Sequence, residues 1–213
     1  MPVEDDCLIE PTWEDETPQR ASDPATPEAV LRELARKSNR EIRRMIVQNP
    51  SIPLDLLVSL APLARTFDVP RVASASVAEI RMLAASRVMQ VRRLAAYRHD
   101  LPPDVVTTFL GDPEAEVRAG IAANPALSVD QLEDLSAHGD PRILFRVAQN
   151  PRCTPELLHR MARSGGKACR EIAKHPNASP ETLLLCLRDE EAAFAAAANP
   201  ALPVSAMEEL LSR

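Results

Sequence analysis

A spacing of 24 to 26 residues runs through most of this chain, and no other feature restricts its fold as strongly. Four copies show it: Ala122-Ala123-Asn124-Pro125, Val147-Ala148-Gln149-Asn150-Pro151, Ile172-Ala173-Lys174-His175-Pro176 and Ala197-Ala198-Asn199-Pro200. With each proline as an anchor, the seventh residue on is Leu132, Leu158, Leu183 or Met207, and the tenth is Leu135, Met161, Cys186 or Leu210. Eight residues back stand Val117, Ile143, Ala168 and Ala192; four back stand Ile121, Val147, Ile172 and Ala196. One apolar frame fits all four copies, which makes this a repeat protein.

The frame continues toward the N-terminus with more wear. Pro50 and Pro24 are anchors, His99 replaces the proline in one copy, and a copy anchored near Ala73 keeps only Ile80 and Leu83. The anchors therefore number eight: 24, 50, 73, 99, 125, 151, 176 and 200. The units degenerate around 61–90, a stretch that reads as a hinge, a break or a binding bulge.

Each unit carries two apolar segments. The one after the anchor starts with Thr154-Pro155-Glu156, Ser179-Pro180-Glu181 or, one residue out of step, Thr26-Pro27-Glu28. A Ser or Thr can cap free backbone N–H groups there, proline loses no bond at the first helical position, and Glu suits the helix dipole. Apolar residues then recur at spacings of three and four, as in Leu157, Leu158, Met161 and Ala162, which predicts an amphipathic helix of two to three turns. The segment before the anchor, such as Val117 to Ala123, is stopped early by Asn-Pro, where proline disfavours helical geometry and asparagine tolerates the turn. It reads as a short α or 3₁₀ helix. Nothing alternates with period two, and the unit is too short for two full helices of the HEAT type, which need about 40 residues.

A lone unit cannot bury its apolar face, so the units must stack. Small residues three before the anchor (Ala96, Ala122, Ala148, Ala173 and Ala197) permit close stacking of the short elements. The fold expected is all-α: a solenoid of about eight 24–26-residue units over residues 23–213, each a longer α-helix plus a short α/3₁₀ helix.

Val117-Arg118, Ala122 and Asn124-Pro125, followed by Pro155, Leu158, Met161 and Ala162, resemble the core of the leucine-rich repeat variant family. The resemblance covers residues 24–213 and is most specific from residue 91 onward. It implies alternating longer α and short 3₁₀ helices in a right-handed superhelix. Some members of that family also carry an N-terminal cysteine cluster for an iron–sulfur centre, and this sequence departs from that pattern. Its cysteines are Cys7, Cys153, Cys169 and Cys186, with no short spacing among them. Cys186 stands at a template Leu position and reads as core; Cys153 and Cys169 flank turns of adjacent units. No cofactor and no metal site are expected.

Charge is unevenly spread. Residues 1 to 23 hold eight acids against the single base Arg20, while the remaining chain has 24 bases and 23 acids. With three prolines and few apolar residues, residues 1–22 read as a disordered acidic tail. Leu8, Ile9 and Trp13 within it form a candidate linear motif. No run of 18 apolar residues and no basic-then-apolar leader occurs, so a cytoplasmic protein without a membrane span is expected.

No catalytic constellation stands out. The four histidines (His99, His138, His159 and His175) have no metal-pair spacing, and nucleophile-elbow, Walker and zincin motifs are absent. Gly165-Gly166 reads as a loop, not a phosphate cradle. What does recur is arginine five to seven residues before the anchor: Arg43, Arg44, Arg92, Arg93, Arg118, Arg146 and Arg170. Stacking would align them, and a row of guanidinium groups attracts carboxylates or phosphates, unless each arginine pairs with an acid of its neighbouring unit. The function expected is a non-enzymatic protein-interaction scaffold or adaptor with another protein as partner. Nucleic acid is the alternative partner, disfavoured by a nearly neutral, aromatic-poor repeat region.

Overall fold

The computed structural model describes residues 13–65 and 68–205, with side chains from residue 17 onward. The described residues form fifteen α-helices, one 3₁₀ turn at Ala61–Leu63 and no strand. They fall into two compact units, Met1–Ser76 and Val77–Arg213. The division lies inside the degenerate stretch 61–90, where the repeat frame reads as a hinge, a break or a binding bulge.

The first unit contains α1 (Trp13–Ser22), α2 (Glu28–Lys37), α3 (Arg40–Val47), α4 (Leu54–Leu60) and α5 (Pro70–Ala73). Helix α1 corrects the expected boundary of the tail, because residues 13–22 are helical and pack on α3. Thr17 and Ala21 are buried, and Ala21 stands three residues before Pro24, the place of Ala96 and Ala122 in their own units. These residues are therefore the short helix of the first repeat, despite their acids and Pro18. Leu8 and Ile9 lie outside the described residues, and Trp13 opens α1 without a described side chain.

The second unit alternates two kinds of helix. After the anchors come α6 (Val77–Ala84), α8 (Pro103–Leu110), α10 (Val129–Ala137), α12 (Pro155–Ser164) and α14 (Pro180–Cys186). Before the anchors come α7 (Met89–Ala96), α9 (Ala115–Ala122), α11 (Pro141–Val147), α13 (Cys169–Lys174) and α15 (Ala193–Ala197). Like packs on like: α9 lies against α7 and α11, α15 against α13, and α14 against α12. The second kind is α-helical throughout and shortens from eight residues in α7 and α9 to five in α15. The core is aliphatic, with Val117, Ile121, Leu132, Ile143, Val147, Leu158, Ile172 and Leu183 fully buried.

The helix starts follow the capping rule. Thr154 Oγ1 accepts the Leu157 amide at 3.2 Å and Ser179 Oγ accepts the Thr182 amide at 3.3 Å, each with proline as first helical residue. At α10, Ser128 and Gln131 exchange side-chain bonds to each other's backbone N–H in a capping box. At α2 the shifted register leaves Pro27 as the cap, and Thr26 instead donates to the Arg20 carbonyl at 2.6 Å.

The Asn-Pro turns do more than end a helix. Asn150 is fully buried; its Nδ2 donates to the carbonyls of Ala122 at 2.9 Å and Asn124 at 2.8 Å, and its Oδ1 accepts the Arg152 amide at 3.0 Å. Asn49 reaches back in the same way to Ala21 and Asp23, Asn124 to Arg98 and His99, and Asn199 to Ala173 and His175. Each side chain thus joins its own turn to the preceding one and satisfies backbone groups that helix ends leave unpaired. His175 replaces asparagine in one rung. Its Nδ1 accepts the Asn177 amide at 3.0 Å, which fixes the tautomer, and its Nε2 donates to the Asn150 carbonyl at 3.0 Å. No asparagine occupies this place at Val72, before Ala73, or at Arg98, before His99. The ladder is interrupted across the stretch where the two units divide.

Candidate interaction surface

The seven arginines do not share one environment. In the first unit Arg43 donates to the Arg36 carbonyl at 3.3 Å, and Arg44 pairs with Glu41. In the second, Arg92 makes a two-pronged bond to Asp112 at 2.7 and 3.1 Å and also donates to the Ser86 carbonyl at 3.0 Å. The pair is nearly closed to water, with Arg92 14% and Asp112 3% exposed. One repeat on, Arg118 donates to the carbonyls of Asp112 at 2.6 Å and Pro113 at 2.9 Å. Arg92 and Arg118 therefore fasten the loops that lead into their own helices. Such half-buried, hydrogen-bonded guanidinium groups are committed to the fold. The Nε atoms of Arg43, Arg44, Arg93 and Arg118 are buried.

Arg146 and Arg170 are placed differently. The Arg146 guanidinium lies over the Tyr97 ring, 5.1 Å from its centroid, and 5.7 Å from that of Phe145. Between Tyr97 and Arg146 lies Gly120 of α9. A Cβ there would meet the Tyr97 ring at 3.1 Å and Ala96 Cβ at 3.0 Å, so glycine leaves the tyrosine room to lie across the helix. Arg146 Nη1 donates to Gln149 at 2.9 Å, Gln149 donates to Glu171 at 3.1 Å, and Lys174 pairs with Glu171 at 2.9 Å. Contacts thus run unbroken along the short helices from Tyr97 through Arg146 to Lys174.

The stripe ends in a furrow of about 420 Å³ lined by Arg170 and Lys174 of α13, by Glu191, by Phe194, Ala195 and Ala198 of α15 and its cap, and by the Asn199-Pro200 turn. Phe194 is 88% exposed, further out than any other large apolar side chain described. Of the six aromatic residues in the chain, Tyr97, Phe145 and Phe194 are on this one face, whereas Phe109 is in the core. A count of aromatics cannot show that concentration; the repeat register can, since Phe145, Arg170 and Phe194 all stand six residues before an anchor.

A second, larger concavity of about 1040 Å³ opens where the ends of α10 and α12 meet the start of α11. Gly165 and Gly166, with φ of 70° and 91°, form its rim loop, and Arg160 and Glu133 face each other across it at 3.4 Å. Its lining mixes both charges with Leu144 and Met161 and converges on no single chemistry.

Residues 15–78 match the family described as the Leucine Rich Repeat Variant domain. This stretch is similar to a leucine-rich repeat variant domain. No curated protein and no solved structure matches the chain. The matched variant-repeat domain begins within α1, in accord with residues 13–22 being part of the first repeat. It covers the more worn copies of the template, whereas the motif is plainest to the eye beyond residue 91.

Some variant-repeat proteins hold an iron–sulfur cluster, but the cysteines here are built otherwise. Cys153, Cys169 and Cys186 are buried and free, and Cys186 faces Cys169 within hydrogen-bonding reach. Burial pushes the thiols of Cys153 and Cys186 up to about 12 and that of Cys169 upward as well. Cys7 lies outside the described residues. Among those described, no group of three or more His, Cys, Asp or Glu side chains comes together as metal ligands. No described helix is long and apolar enough to cross a membrane.

Proposed function

We propose that the chain is a non-enzymatic interaction scaffold that binds another protein along the stripe from Tyr97 to Phe194. In this reading the repeats of each unit stack as a right-handed solenoid, about eight copies in all, and present the short helices as an extended face. The observation that carries it is the unbroken line of contacts from Tyr97 over Gly120 to Arg146, Gln149, Glu171 and Lys174, ending at the exposed Phe194. Aromatic and arginine side chains are the groups that contribute most to protein–protein contacts. The matched domain family is one of helical repeats, which adds to the case by analogy of fold.

A second reading is single-stranded nucleic acid, favoured by the placement of Tyr97, Phe145 and Phe194 beside arginines, since bases stack on such rings. Charge weighs against it. Residues 77–213 hold 16 bases and 18 acids, without the basic excess that phosphate binding uses.

Affinity capture with the full chain, at low and moderate salt and with or without nuclease, separates the two. A stoichiometric protein retained by the wild type after nuclease, and lost from Arg146→Glu, supports the scaffold. Recovery of nucleic acid that disappears at moderate salt establishes the second reading instead.

A further inference from the structure

The α13–α15 furrow has a composition that selects a ligand. Its wall is Phe194, an aromatic ring that leaves 88% of its surface in water on a helix of five residues. Ala195 and Ala198 line it as well, and their small side chains fill little of the space. Three charged residues line it too: Arg170 and Glu191 are exposed, and Lys174 keeps half its side chain in water beside Glu171. The equivalent places in α9 and α11 are more covered. Ala119 is buried, and Phe145 is half-buried with the Arg146 guanidinium beside it. Phe194 has no such cover among the described residues.

We propose that this furrow docks a short segment of a partner protein in which an aliphatic or aromatic side chain stands next to one or two carboxylates. The apolar side chain packs on Phe194 and over Ala195 and Ala198, which removes the ring from water. The carboxylates meet Arg170, whose planar guanidinium can grip both oxygens, and Lys174 as a point charge. A furrow of about 420 Å³ holds one or two side chains, not a globular surface. Its two cations, partly offset by Glu191 and set in a unit with more acids than bases, suit a ligand of one or two charges better than a polyanion. The inference rests on the scaffold reading and names where, and by what chemistry, that scaffold grips its partner.

The test is selection of a random dodecapeptide library on the full chain, with the full-length Phe194→Ser variant as counter-target. Recovered peptides are then measured by fluorescence anisotropy against wild type, Phe194→Ser, Arg170→Glu and Arg146→Glu. Each variant is checked by circular dichroism and thermal melt. The expected result is a consensus pairing Asp or Glu with Leu, Ile or Phe, with binding weakened about tenfold or more by Phe194→Ser and by Arg170→Glu in folded protein, as for a central contact residue. Peptides that lack acids, or that bind Phe194→Ser as well as wild type, overturn the proposal. Peptides lost only from Arg146→Glu overturn the furrow while leaving the scaffold standing. A self-association that Phe194→Ser abolishes makes a second copy the occupant and equally overturns it.

Discussion

Asn150 Nδ2 donates at 2.8 Å to the backbone carbonyl of Asn124, its own counterpart one repeat earlier. The same nitrogen serves the Ala122 carbonyl at 2.9 Å, and Oδ1 takes the Arg152 amide. One fully buried side chain therefore satisfies three backbone groups in two successive turns. Asn150→Ala leaves those groups without partners in a dry site, at a cost of about 2–4 kcal/mol, because unmet buried groups are more expensive than the bonds were worth. Asn150→Asp has no donors and sets a carboxylate against two carbonyls, so it costs more than alanine. Urea denaturation ranks the three proteins, and an aspartate variant at least as stable as the alanine one contradicts the ladder.

His175 makes the same kind of link with different atoms, Nε2 to the Asn150 carbonyl and Nδ1 from the Asn177 amide. His175→Asn restores the residue used at 124, 150 and 199 and leaves stability within about 1 kcal/mol of wild type, in line with the small net worth of a replaced hydrogen bond. His175→Ala removes the bridge and costs about 2 kcal/mol by the same principle. Matched thermal melts check the pair. Equal losses from asparagine and alanine show that the ring contributes only its volume.

Gly120 makes room for Tyr97. A Cβ at 120 comes to 3.1 Å from the ring and 3.0 Å from Ala96 Cβ, tighter than most real methyl contacts, so the neighbours must shift by a few tenths of an ångström and Gly120→Ala costs about 1 kcal/mol by overpacking. Removing the ring first relieves the share of the crowding that the tyrosine causes and leaves that of Ala96. In a Tyr97→Ala background, Gly120→Ala costs less than in wild type, since only Ala96 then crowds the methyl and alanine is the better helix former by about 1 kcal/mol. The double-mutant cycle measures this coupling. An additive pair shows that the ring is not what excludes a side chain at 120.

Much of the architecture is legible in the residues because it is written by periodicity. The anchors placed the turns, Thr154 and Ser179 announced their caps, and the apolar frame named core residues such as Ile121, Leu158 and Leu183. The acidic composition of residues 13–22 concealed α1, although Ala21 stands where the repeat needs a small residue; register outranked composition there. Asparagine before proline read as a permissive turn residue, because its bonds go to a turn about 26 residues away and no local rule reveals them. The arginine row divided for the same reason. Arg92 and Arg118 serve carbonyls and Asp112 in the fold, while Arg146 and Arg170 face the stripe, a difference set by which neighbours happen to approach. Phe194 gave no signal alone; its meaning comes from Arg170 and Lys174 across the furrow.

The buried thiols give the pH dependence its sign. Burial disfavours the thiolates of Cys153 and Cys186 and pushes both up to about 12, from an ordinary value near 9. The native chain therefore keeps these protons where the unfolded chain gives them up. Their contribution to stability is whole below about pH 8 and falls as pH climbs from about 9 toward 12, because the unfolded state alone ionises in that window. Reactivity follows the same rule, since the thiolate is the nucleophile. At pH 8, alkylation of Cys153, Cys169 and Cys186 by iodoacetamide is slow in the native protein and rapid in urea, with peptide mass spectrometry resolving each site. Labelling of native Cys153 as fast as in the unfolded chain contradicts its burial.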